Sequence, residues 1–221
     1  MSQLVRVWDL PTRVFHWALV ACLAGLFITG YQGGAAMLWH ARFGYAVLSL
    51  LLFRLLWGFV GGRWSRFSAF VRSPRTVLAY LRGQRHPDHL VGHNPLGALA
   101  ILAMVIALLA QVATGLVGDD EIAFTGPLNR FVASAQGLAA TSWHKNVGQW
   151  LVVGLVALHL AAILFYTLGR KQTLVRPMLT GDKPVATPVP ASRDDAATRT
   201  LAALLLGACG GAVAWLVSLG H

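Results

Sequence analysis

The stretch WHKNVGQWLVVGLVALHLAAILFYTL, from Trp143 to Leu168, carries a single full charge, Lys145, and holds two histidines, His144 and His159, fifteen positions apart. A helix rising about 1.5 Å per residue needs roughly 20 apolar residues to cross a hydrocarbon core of about 30 Å, so the stretch reads as a membrane span. Working outward, four further runs read the same way: Val14 to Tyr31, Leu38 to Val60, Leu96 to Val117 and Leu201 to Leu219. With Val147 to Leu168 they predict an all-α membrane protein, a four-helix transmembrane bundle plus a fifth C-terminal helix. Composition agrees. The 221 residues are 56% hydrophobic and 12% charged, against roughly 45–50% and about 25% in soluble domains. That excludes an ordinary soluble domain and intrinsic disorder. The run after Arg6 and Arg13, with Gly33-Gly34-Ala35-Ala36 behind it, imitates a secretory signal, but further spans follow and it is expected to stay as a helix.

Charge sorts the connections. Lys and Arg number 18 against 8 Asp and Glu, and in a membrane chain such an excess reports topology; nucleic acid is not an expected partner. The leader carries Arg6 and Arg13. The loop from Gly61 to Asn94 carries Arg63, Arg66, Arg72, Arg75, Arg82 and Arg85, and the segment after helix four carries Arg170, Lys171, Arg176, Lys183, Arg193 and Arg199. These are expected to be cytoplasmic. The loop between helices one and two and the loop beginning Asp119-Asp120-Glu121 are expected outside, which puts the N-terminus in the cytoplasm and the C-terminus outside. Three segments follow: a core over 1–180, a Pro-rich cytoplasmic linker over 181–199 with Pro184, Pro188 and Pro190, and the appended helix over 200–221. Gly207, Gly211 and the small residues between them form a smooth strip on that helix. It could serve a homodimer or another docking helix.

Ionisable groups inside a membrane are costly and mark function. His16 opens helix one on its inner side, His40 opens helix two on its outer side, and His144 is expected to open helix four from outside. His159 lies about 22 Å deeper along the same helix, at about 60° around its axis from His144. The depths therefore pair His40 with His144 and His16 with His159. Two imidazoles per layer suit a porphyrin iron, which takes axial nitrogens on opposite faces of a flat ring. Zinc wants about four ligands at one point. With only Cys22 and Cys209, both in apolar runs, no Cys-x-x-Cys-His attachment site exists, so haem would be held noncovalently. Gly44 and Gly148 each follow an outer histidine by four residues, where a missing side chain leaves room for a planar ring.

The sequence resembles the bacterial cytochrome b561 family, which also looks like the b-type cytochrome subunits of nickel–iron hydrogenases. The matching residues are Val7-Trp8-Asp9-Leu10-Pro11-Thr12-Arg13-Val14-Phe15-His16-Trp17, Trp39-His40, Gly92-His93-Asn94-Pro95-Leu96-Gly97, Trp143-His144 and Leu158-His159. The resemblance implies a four-helix core with two haem b groups on the same histidine pairs, in the bacterial inner membrane. It also implies electron transfer between the quinone pool and a redox partner, commonly periplasmic, such as a c-type cytochrome or a hydrogenase. Some similar cytochromes oxidise superoxide and reduce quinone, which makes a self-contained superoxide:quinone oxidoreductase the alternative. A non-redox metal transporter is the reading from another class.

Other charges have narrower roles. Arg42 and Lys145 flank the outer ligands and are expected to pair with haem propionates, or else to form a positive rim. Arg130 reads as a solvated charge. Arg54, about two turns from the inner end of helix two, either snorkels or meets a propionate of the inner haem. His86, His89 and His93 are spaced for one helix face, but Pro87 argues against a rigid metal site; His93 could instead handle quinone-linked protons.

Overall fold

The computed structural model describes residues 3–84, 86, 91–122 and 124–220. It is all-α, with five helices long and apolar enough to cross a membrane: α1 (Leu10–Gln32), α2 (Met37–Val60), α3 (Pro95–Val117), α4 (Ser134–Gly169) and α5 (Ala196–Ser218). Two short strands, β1 (Gln3–Arg6) and β2 (Asp182–Val185), pair antiparallel, Gln3 opposite Val185 and Arg6 opposite Asp182.

Capping chemistry sets where the helices begin. Asp9 Oδ1 accepts from Thr12 N at 2.8 Å and starts α1 ahead of the apolar run. Asn94 Oδ1 accepts from Gly97 N at 2.7 Å, with Pro95 taking the first helical position of α3. Asp195 Oδ1 accepts from Thr198 N at 2.8 Å at the head of α5. Helix α4 begins at Ser134, well before the expected Val147. Its first ten residues, SAQGLAATSW, are small or polar apart from Leu138 and Trp143, and Gln136 reaches back to Ala133 N at 3.0 Å to cap them. His144 therefore sits inside α4, not at its mouth. It opens a π turn, His144–Gly148, within the helix, so an angular estimate that assumes an uninterrupted α-helix does not apply from this residue onward.

The chain forms two compact units. Unit 1 comprises Met1–Phe15, Arg54–Ala103 and Val156–Ala203; unit 2 comprises His16–Phe53, Met104–Leu155 and Leu204–His221.

Unit 1 has a small core of Val5, Val7, Trp8, Trp64, Val91 and Val185. Asp9, wholly buried, knits it together: its carboxylate accepts from Thr12 N, Trp57 Nε1, Gly62 N and Ser65 Oγ at 2.8–3.2 Å. A buried carboxylate is tolerable only when its lone pairs are filled in this way. The Pro-rich segment is tied into the same unit. Ser192 Oγ donates to Val7 O at 2.7 Å, Trp64 Nε1 donates to Pro190 O at 2.9 Å, and Arg6 bridges Asp182 and Asp194, each at 2.7 Å. Those two partners hold the Arg6 guanidinium above its ordinary pKa, the Asp182 hydrogen bond contributing most.

In unit 2, α5 packs against the neighbouring helices. Val213 joins Leu48 of α2 and Leu116 of α3 in one buried cluster, with Leu216 and Val217 against it. Arg130 Nη1 donates to Leu219 O at 3.1 Å, so this exposed charge caps the end of α5. The strip of Gly207, Gly210 and Gly211 has open space beside it among the described residues. Large apolar side chains such as Phe59, Ile106, Leu204 and Trp215 are more than 60% exposed, as lipid-facing positions require.

Candidate functional site

Within unit 2, His40 on α2 and His144 on α4 face each other, ring centroids 6.1 Å apart and planes crossed at 70°. Each ring is fixed through Nδ1. His40 Nδ1 lies 3.0 Å from Leu26 O of α1, and His144 Nδ1 lies 2.9 Å from Gln111 O of α3 and 3.2 Å from Thr114 Oγ1. A carbonyl only accepts, so in each neutral ring Nδ1 carries the hydrogen and Nε2 keeps its lone pair. This is the tautomer a metal-ligating imidazole adopts when a backbone carbonyl orients it.

The spacing suits one metal atom between the rings. With metal–nitrogen distances of about 2.0–2.1 Å and the short step from nitrogen to ring centre, two axial imidazoles place their centroids roughly 6.4 Å apart, close to the separation found. No group of three or more His, Cys, Asp or Glu able to hold a metal ion occurs among the described residues, so the donor set is the pair of facing nitrogens that a haem iron takes. Haem fits this pair.

The surroundings divide the expected cradle residues. Beside Gly44 nothing lies within 4 Å among the described residues, leaving space on the helix of His40. At Gly148 an added Cβ would meet Gln111 Oε1 and the Trp143 ring, so here the glycine admits close packing of neighbouring side chains. The π turn ends at this glycine. Gln149 N–H bonds His144 O, one residue beyond the α pattern, and Gln111 Nε2 donates to the same carbonyl at 3.0 Å. Lys145 is exposed, and Arg42, also exposed, stacks on Trp39 at 4.8 Å.

His16 belongs to unit 2 and His159 to unit 1, both half-buried, and His16 meets the Trp17 ring edge-on at 5.0 Å. In unit 1, Arg54 is 5% exposed, so it does not snorkel to water. Its guanidinium lies 5.2 and 5.7 Å from the Phe67 and Phe70 rings, and its Nη1 has no hydrogen-bond partner among the described residues. His93 sits between Trp8 and Phe70, at 4.6 and 5.0 Å. His86 is exposed, and His89 lies outside the described residues.

Comparison with known proteins decides the family. The family model described as prokaryotic cytochrome b561 matches residues 7–181. The chain belongs to this family. It is 26% identical over 209 residues to the "Probable Ni/Fe-hydrogenase 1 B-type cytochrome subunit" of Escherichia coli strain K12, covering 79% of this chain and 88% of that protein. The "Probable Ni/Fe-hydrogenase B-type cytochrome subunit" of Azotobacter vinelandii is 28% identical over 174 residues, 67% of each chain. Its namesake in Rhodobacter capsulatus is 26% identical over 215 residues, 81% of each. No solved structure matches significantly. As a b561-family protein the chain is a multi-pass membrane cytochrome of b type, an electron-transfer protein whose cofactor is haem b. The non-redox transporter reading falls with this assignment.

The residues that sequence reasoning missed are those that hold the two rings: Leu26 and Gln111 through their carbonyls, Thr114 through its hydroxyl, and Gly30 and Gly115 beside the imidazoles. A Cβ at Gly30 would lie 3.1 Å from His40 Cε1 and Nδ1, and one at Gly115 would lie 3.3 Å from His144 Cε1. One sequence signal was available: Thr-Gly stands late in both helix one and helix three.

Proposed function

We propose that this b561-family cytochrome carries two haem b groups and relays electrons across the bacterial inner membrane between the quinone pool and a periplasmic redox partner. The observation that carries the reading is the crossed pair of His40 and His144, each with Nδ1 tied to a carbonyl and Nε2 left to ligate. His16 and His159, each half-buried, are the remaining intramembrane histidines and the candidates for ligating a second haem. Bound haem supplies reversible one-electron iron chemistry; the chain supplies ligation, ring orientation and a low-dielectric shell. Arg54, buried with its Nη1 unpartnered among the described residues, is the cation for a propionate of the inner haem, while Arg42 and Lys145 serve the outer one.

The relatives are named as hydrogenase cytochrome subunits, which supports a hydrogenase or a c-type cytochrome as partner. Orientation follows charge. Of the 18 Lys and Arg, 14 fall in the leader, the loop from Gly61 to Asn94 and the segment after α4, which supports cytoplasmic loops there, a cytoplasmic N-terminus and a periplasmic C-terminus.

A pyridine haemochrome assay on purified protein should give two haems per chain. His40→Ala and His159→Ala should each remove one and leave the other. A single haem per chain, or loss of both from His40→Ala in a protein that still folds, refutes the two-layer reading. Quinol added to the oxidised protein should reduce both haems; a spectrum unchanged by quinol refutes the quinone link.

A further inference from the structure

We propose that Thr29-Gly30 on α1 and Thr114-Gly115 on α3 are a matched pair of positioning motifs that set the crossed planes of His40 and His144, and through them the electronic signature of the outer haem. The inference rests on the outer ligand pair proposed above.

The two motifs have the same construction. In Leu26-Phe27-Ile28-Thr29-Gly30 and Gln111-Val112-Ala113-Thr114-Gly115, the first residue offers its carbonyl to a histidine Nδ1 of the following helix, at 3.0 and 2.9 Å. The fourth residue is a threonine whose hydroxyl turns back onto its own helix: Thr29 Oγ1 to Gly25 O at 2.6 Å, Thr114 Oγ1 to Ala110 O at 3.0 Å. The fifth is glycine, the residue whose N–H shares the first carbonyl in an α-helix. Its missing Cβ lets the imidazole lie against the backbone, where 3.1 Å at Gly30 and 3.3 Å at Gly115 would otherwise crowd the ring. One helix of each neighbouring pair thus presents a carbonyl and a glycine-sized notch to a histidine on the next. The chain does this twice, on opposite sides of one pair of rings.

The motifs differ in one respect. Thr114 Oγ1 also reaches His144 Nδ1 at 3.2 Å, so that N–H is shared between Gln111 O and Thr114. No such bond from Thr29 is present among the described residues. A second acceptor on Nδ1–H adds electron density to the ring, strengthens donation to ferric iron and lowers the reduction potential.

Crossed imidazole planes have a spectroscopic consequence. When the planes are parallel, both rings act on the same d orbital of low-spin ferric iron and split it from its partner. When they approach perpendicular, each ring acts on a different orbital, the two stay nearly degenerate, and the g values spread widely. The 70° crossing assigns the outer haem to the second class.

The test is low-temperature electron paramagnetic resonance with redox titration on the haem-loaded full chain, in Gly30→Ala, Gly115→Ala, Thr114→Val and Thr114→Ser. In the parent protein a strongly anisotropic low-spin signal should be present and should vanish in His40→Ala. If it survives His40→Ala, the ligand assignment fails, whatever the role of the motifs. If it vanishes, the motifs are tested separately. Gly30→Ala should keep both haems and move the anisotropic signal toward smaller spread, more than Gly115→Ala does, because its contact is tighter. Thr114→Val should raise the outer midpoint potential and Thr114→Ser should restore it, with haem content unchanged. Should Gly30→Ala fail to assemble, the nearly isosteric Thr114→Val still decides. Unaltered spectra and potentials in Gly30→Ala and Thr114→Val overturn the proposal.

Discussion

Replacing Asp9 by Asn tests whether the carboxylate in unit 1 organises that unit. The change keeps size and shape but turns one oxygen into a donor. Oδ1 accepts from Thr12 N and Trp57 Nε1, while Oδ2 accepts from Gly62 N at 2.8 Å and Ser65 Oγ at 3.2 Å. With the amide nitrogen in the second position, the Gly62 N–H faces another donor; Ser65 can rotate its hydroxyl, but Gly62 cannot. Gly62 packs directly on the carboxylate, too closely to admit even a Cβ. An orphaned buried donor costs about 1–3 kcal/mol, and exchanging charge-assisted bonds for neutral ones costs about another 1 kcal/mol. The total is roughly 2–4 kcal/mol. For a chain of this size that corresponds to a fall in Tm of roughly 5–15 °C. The assay is thermal loss of the haem absorption band in detergent, compared with Asp182→Asn, whose partly exposed pair with Arg6 should contribute under about 1 kcal/mol. If Asp9→Asn melts with the parent protein, or no lower than Asp182→Asn, the organising role of the carboxylate is wrong.

Three further outcomes are expected. Gly181→Ala should destabilise the chain by about 1–3 kcal/mol, because Gly181 has φ +91° and an added Cβ would lie 2.6 Å from Trp8 O; proteolysis between residues 170 and 195 should accelerate, and an unchanged cleavage rate would refute this. Lys183 donates to Val91 O at 3.1 Å, and burial pushes its amine down to about 8 from 10.5. Between those values the unfolded chain binds more protons, so stability should rise with pH across about 8 to 10.5. The stability difference between the parent and Lys183→Met should therefore move in the parent's favour over that window, and a pH-independent difference sinks the argument. Arg54→Met removes a buried cation whose Nη1 has no partner among the described residues; it should lower the midpoint potential of one haem, leave the anisotropic signal of the other, and cost little stability. Two unchanged potentials would exclude Arg54 from a propionate.

What was legible in the sequence follows from the length scale of each signal. Hydropathy runs of about twenty residues are set by bilayer thickness, so α2 and α3 begin within a residue of expectation. The start of α4 was not legible, because SAQGLAATSW has no apolar run and its helix rests on a Gln136 cap and on packing of Gly137 against Asn129. The same blindness applies to the β1–β2 pair, with Pro184 inside a four-residue strand, and to Asp9, whose partners at 57, 62 and 65 meet only in the fold. At the candidate site, imidazole is a rare residue type inside a membrane and announces itself. A backbone carbonyl does not, since every residue carries one. Only the exception to side-chain crowding leaves a trace, and here it is glycine: Gly30 and Gly115 mark where a ring approaches a helix. Counting four residues from His144 to Gly148 presupposed α geometry, and the π turn at that point removes the premise. A glycine's partner is thus fixed by the phase of its own helix. That phase is set by the hydrogen-bond ladder around His144 O, where Gln111 intervenes from another helix.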